Sequence, residues 1–177
     1  MNIYDYLERM QNELLYDDLL QIEQKYYSLC SQLAGAEEAK KIEKINLDKL
    51  QQLLEIGLTK SIKLAHDYSA KAIYYEYDLD NEWSSHFFIC TNYHPLLEQD
   101  DDWACDWVEE LKGPDIVEFA HIYSENGFDK TEKAVGITLY LVARTVVVFA
   151  KASRKVKSKI PICIAFHDQD PIMRIIE

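Results

Sequence analysis

Apolar positions recur at helical spacing over the start of the chain. Ile3, Tyr6, Leu7, Met10, Leu14, Leu15, Leu19 and Ile22 follow an i, i+3, i+4 stripe that Tyr26, Leu29 and Leu33 continue. The pattern predicts helix over residues 2–33, with a kink or break at Tyr16-Asp17-Asp18 and an end at Ala34-Gly35-Ala36. Glu37 to Lys44 is charged and reads as a short helix or connector. Asn46 suits the N-cap of a second long helix, residues 47–68, with its stripe at Leu50, Leu53, Leu54, Ile56, Leu58, Ile62 and Leu64. The two long helices are expected to pack as an antiparallel pair.

The period then changes. Ala72 to Asp78 and Ser84 to Thr91 are β-like runs separated by turn residues, which predicts a hairpin over about residues 71–91. His94 to Asp102 reads as an acidic loop, and Trp103 to Leu111 suits either helix or extended chain. Gly113-Pro114 breaks the pattern, with Pro114 in the first turn of a helix to Tyr123 and Gly127 as its stop. Asp129-Lys130-Thr131-Glu132 resembles a capping box opening a third long helix, to about Lys155. Its centre, Leu139 to Ala150, is apolar nearly all round. This helix is therefore expected at the middle of the core, although Val146 to Phe149 would also suit a strand. Residues 160–167 read as a buried strand, and Ile172 to Ile176 as a last strand or a surface tail. The expected fold is one α+β domain, residues 1–177, with several long helices on a small, mostly antiparallel sheet.

Composition sharpens one region. The chain has 177 residues and a net charge of −12. The 40 residues from Ala72 to Leu111 hold no Lys or Arg, 11 Asp or Glu, and all three Trp; the other 137 residues nearly balance, with 19 basic and 20 acidic side chains. Such acidity argues against direct nucleic-acid or anionic-membrane binding and permits a basic protein partner. The apolar run Val135 to Ala150 is short for a bilayer span and carries Arg144. Four cysteines at irregular spacing match no zinc or redox motif, and Met1 to Asp5 does not open a signal peptide. A reducing cytoplasm with free thiols is expected.

The charge is densest from Glu98 to Glu110, where seven of thirteen positions are acidic. The expected partner-binding residues are Glu98, Asp100, Asp101, Asp102, Trp103, Asp106, Trp107, Glu109 and Glu110. Closely packed carboxylates repel one another, and a basic partner would relieve that. Trp103 and Trp107 would share a face if this stretch were helical, and Trp is a frequent interface anchor. The same residues also suit a solvated acidic loop over two core tryptophans. Asp100, Asp101, Asp102 and Asp106 offer oxygens to a hard cation, but no EF-hand loop is present. His86, Cys90 and His94 recur every four residues, yet strand geometry separates them by about 13 Å per step. His167 to Pro171 follows the strand and could line a binding edge, but reads better as a turn that Pro171 ends. No P-loop, Gly-x-Ser-x-Gly or dinucleotide motif occurs, so no catalytic residue, metal or cofactor is expected.

In general character the chain resembles the cytoplasmic immunity proteins of bacterial contact-dependent inhibition and other polymorphic toxin systems. The resemblance rests on Asp100-Asp101-Asp102-Trp103-Ala104-Cys105-Asp106-Trp107 and on the small, acidic, motif-poor whole. It implies a non-enzymatic inhibitor of a cognate toxin C-terminal domain, often a nuclease with a basic surface. On that expectation, charge reversal at Asp101, Asp102 and Asp106 abolishes protection without unfolding the protein. The alternatives are an acidic nucleic-acid mimic or adaptor blocking a nucleic-acid-binding protein, and a small carboxylate- or metal-dependent enzyme. The mimic would spread its charge along a surface, and the enzyme would gather Asp106, His94 or His167 in a pocket.

Overall fold

A computed structural model describes residues 2–177. The Asn2 side chain accepts a hydrogen bond from the Tyr4 amide and opens α1 (Ile3–Tyr16). The expected break is real. Asp17 and Asp18 are extended, and the Asp18 carboxylate accepts from the Leu20 amide to start α2 (Leu19–Ala34). Gly35, at φ +98°, makes the turn into α3 (Ala36–Glu43). Asn46 accepts from the Asp48 amide at the start of α4 (Asp48–Asp67).

The predicted hairpin forms β1 (Ala72–Asp78) and β2 (Ser84–Cys90), in antiparallel register from Ala72 opposite Cys90 to Asp78 opposite Ser84. Two short 3-10 turns, Leu96–Glu98 and Asp102–Cys105, precede β3 (Trp107–Lys112). The stretch after Trp103 is therefore neither one helix nor one strand. Then come α5 (Val117–Asn126), α6 (Glu132–Val156), β4 (Ile162–Phe166) and β5 (Met173–Ile176). The sheet order is β3-β2-β1-β4-β5, with β1 and β4 parallel and the other neighbours antiparallel. The fold is α+β.

Three local expectations need correction. α5 starts at Val117 and not at Pro114, because Gly113-Pro114 is still tied to β2: the Gly113 amide donates to the Ser85 carbonyl (2.8 Å) and Ser85 Oγ donates to the Pro114 carbonyl (2.7 Å). A Cβ at Gly113 would collide with Ser85 Oγ, so close approach selects the glycine. The N-cap of α6 is Thr131, whose hydroxyl accepts from the Ala134 amide (3.0 Å), and not Asp129. The first long helical segment and α4 do not form a pair of their own. α2 and α4 each pack mainly on α6. α6 is apolar on every side, so it is stable only when neighbours cover it all round.

By length and composition α6 could cross a membrane, but 94% of its most apolar stretch is buried inside the protein. Arg144 is accommodated there: its guanidinium donates to the Ile42 carbonyl in the last turn of α3 and to the Ile45 carbonyl just past it, and pairs with Glu23.

Strand alternation gives the sheet two unlike faces. Ile73, Tyr75, Tyr77, Phe87, Ile89, Ile162 and Ile164 point into the main core, where Tyr75 stacks on Phe149 of α6 at 4.7 Å. On the far face, Ala72, Tyr74, Cys90, Cys163 and Ala165 form a smaller core capped by Trp103, Ala104 and Ile172. The acidic segment, residues 91–106, is thus a strap laid over the far face.

Candidate functional site

The strap is fastened from inside by Arg174, buried on β5. Its Nη1 pairs with Asp101 Oδ1 (2.6 Å) and donates to the Ile172 carbonyl (2.6 Å), and its Nη2 donates to the His94 carbonyl (2.9 Å). The guanidinium lies 5.4 Å from the Trp103 ring centre and 5.9 Å from that of Tyr93. Burial is the largest single influence and opposes its charge, but the Asp101 hydrogen bond, together with the Cys163 and Asp101 charges and the Tyr93 hydrogen bond, outweighs it and holds the Arg174 pKa above its ordinary value. Gln11 of α1 clips the same strand, accepting from the Arg174 amide (2.6 Å) and donating to its carbonyl (3.3 Å).

These contacts divide the expected binding residues into three groups. Trp103 is 2% exposed and packs edge-on against Tyr93 and Tyr74, so it is a plug in the far-face core and not a surface anchor. Asp101 is likewise committed internally, since its second oxygen accepts from the Ile172 amide (2.7 Å). The triple reversal at Asp101, Asp102 and Asp106 therefore strands the buried Arg174 charge, and the expectation that it spares folding is corrected.

The second group is held on the strap. Asp100 accepts from the Asp102 amide (3.0 Å) and meets His94 Nδ1 (2.8 Å), and both interactions hold its carboxyl below the usual range. Glu98 is exposed 3.7 Å from His94. The third group faces outward. Asp102 is exposed. Asp106 accepts from Asn92 (3.1 Å). Trp107, 46% exposed on the edge strand β3, lies 5.3 Å from Phe88, and Glu109 and Glu110 follow it opposite Ile89 and Phe88. Trp103 and Trp107 share no helical face, because a turn ends between them.

Between the strap, α1, β1 and the 169–172 segment lies a cleft of about 1030 Å³. Six carboxylates line it, from Glu8, Glu76, Asp100, Asp101, Asp102 and Asp170, with no Lys or Arg among its lining residues. Sequence reading found three of the six. Glu8, Glu76 and Asp170 lie on elements distant in the chain, and only the fold brings them together. Glu76 is oriented by the Tyr74 hydroxyl (2.9 Å) and by His167 Nδ1 (3.2 Å). That contact raises the His167 pKa. Burial, then the Glu76 charge, pushes the Tyr74 pKa up, so the phenol stays a donor.

Asp106, His94 and His167 are not among the cleft-lining residues, so the set that would mark an enzyme is not gathered there. Among the described residues, no group of three or more His, Cys, Asp or Glu side chains is placed to hold a metal ion. All four cysteines are free thiols; Cys105 is exposed at the cleft, and burial pushes Cys30 and Cys90 up to about 12. The site thus offers fixed negative charge, a neutral phenol and a nearby half-exposed tryptophan, a chemistry suited to holding cations. Compared with known proteins, the chain matches no family model, no curated protein and no solved structure.

Proposed function

We propose that the protein is a non-enzymatic immunity protein that neutralises a cognate toxin domain by occupying its basic surface. The observation that carries this reading is the cleft, which no Lys or Arg of the described residues lines and where five carboxylates remain beside Asp101, the one committed to Arg174. Concave, concentrated charge suits a local patch of Lys and Arg on a folded partner. A nucleic-acid mimic would need carboxylates spread at nearly duplex density, about one per 1.7 Å of axis. Here the far end of α6 instead carries Lys151, Arg154, Lys155 and Lys157.

The test is co-expression with the C-terminal domain of whichever large effector a neighbouring gene encodes. The wild-type chain should restore growth and co-elute with that domain. The double variant Glu8→Lys, Asp102→Lys changes two exposed cleft carboxylates and leaves the Arg174 clamp intact; it should fold normally and lose protection. Undiminished protection by this variant would overturn the cleft assignment.

A further inference from the structure

We propose that the open part of the far sheet face, beside the cleft, is a dock for an arginine side chain of the basic partner. The proposal rests on the reading above and names the side chain this surface selects. The protein contains a filled version of the same device. Arg174 lies over Trp103 and Tyr93, at 5.4 and 5.9 Å, with the Asp101 carboxylate 2.6 Å from its Nη1. One step along the sheet the ingredients recur. Trp107 packs on Phe88 at 5.3 Å, Glu110 is the cross-strand partner of Phe88, and Asp106 adjoins Trp107. The two sets are joined through Tyr74, 5.9 Å from Phe88 and 6.3 Å from Trp103.

In the second set the chain supplies no Lys or Arg; the nearest basic ring is the imidazole of His86, 6.0 Å from Phe88. Among the described residues no Lys or Arg lies over Trp107 or Phe88, and none pairs with Asp106, Glu109 or Glu110. The lysine of β3, Lys112, pairs with Asp115 (3.9 Å). A planar guanidinium stacks on aromatic rings and meets a carboxylate with two parallel hydrogen bonds, whereas an ammonium is a strongly hydrated point charge. A nucleobase would also stack, but its phosphates would meet Asp106 and Glu110. Addition of a partner strand to β3 is opposed by the bulge at Val108 and by the charges of Glu109, Glu110 and Lys112.

The test titrates the full chain at low salt with an arginine nonamer and a lysine nonamer. Binding is followed by calorimetry and by tryptophan emission, to which Trp107 is the half-exposed contributor while Trp83 and Trp103 are buried. The arginine peptide should bind about three to five times more tightly than the lysine peptide. Trp107→Ala should bring the two to parity, Trp107→Phe should keep most of the preference, and Glu110→Gln should weaken the arginine peptide more than the lysine peptide. Parity in the wild type, a preference unchanged by Trp107→Ala, or no binding of either peptide would overturn the proposal. An intact arginine preference without protection would overturn the immunity reading alone, and protection without the preference would overturn the arginine dock alone.

Discussion

At the scale of single residues, acidic side chains that look alike in sequence have different duties. Asp101 holds a buried cation, so Asp101→Asn should destabilise the fold by about 3 kcal/mol, at the low end for a broken buried pair because the aspartate is partly exposed. Urea unfolding would read this. Glu110→Gln, further along the chain on the exposed edge strand β3, should shift the same transition by less than about 0.5 kcal/mol. No spacing in the sequence separates the two, because the partner of Asp101 is Arg174, on another strand. His167 gives a pH signature. Glu76 raises its folded pKa, so the contribution of this pair is fully present below the unfolded His value and is lost as pH rises through the folded one. Proton NMR of the imidazole should show the His167 pKa falling in Glu76→Gln; an unchanged titration would refute the pairing.

At the scale of elements, what could be read in advance follows from local chemistry. The hairpin pairs in register, the break at Asp17-Asp18 carries a side chain that accepts from the Leu20 amide, and Asn46 accepts from the Asp48 amide although the N-cap of α4 falls one residue later than expected, at Leu47. The acidic segment has no such internal signal. Its conformation is decided by where Trp103 finds a hydrophobic site, which is against β1 and β5, and the chain must then turn before Trp107 can join β2. Likewise, the apolar stripes of α2 and α4 announce burial but not the neighbour, and only the all-round apolarity of α6 hinted at the true one. If Trp103 secures the strap, Trp103→Ala should cost about 3–5 kcal/mol. Hydrogen exchange should then accelerate across residues 92–106 before it does in α6. Uniform acceleration throughout the protein would mean the strap is not a separate unit.

For the molecule as a whole, charge is organised by position as well as by amount. The cleft carries the acids, and the last turn of α6 carries the cations Arg154 and Lys155. Association at the cleft should therefore be fast at low ionic strength and slow markedly as salt rises, while dissociation changes less. Stopped-flow mixing with the proposed basic partner would measure this, and a salt-independent association rate would argue that apolar contacts alone govern the encounter. Half of the cleft was legible because its strap residues are consecutive. The other half was not, because Glu8, Glu76 and Asp170 are ordinary surface acids until the sheet and α1 bring them to one wall.

The placement of β4 also bears on how the chain is made. β1 is a central strand, yet its neighbour on one side, β4, is separated from it by both α5 and α6. During synthesis the hairpin and β3 can assemble early, but the backbone donors and acceptors on one flank of β1 stay unpaired, and the core-facing Ile73, Tyr75 and Tyr77 stay partly uncovered, until residues 162–166 leave the ribosome. Such an apolar, unpaired edge is a template for misassembly. A premature stop anywhere before Ile162 should therefore yield insoluble chains and not a smaller soluble unit, since β4 and β5, made after the other three strands, are the ones that seal this sheet.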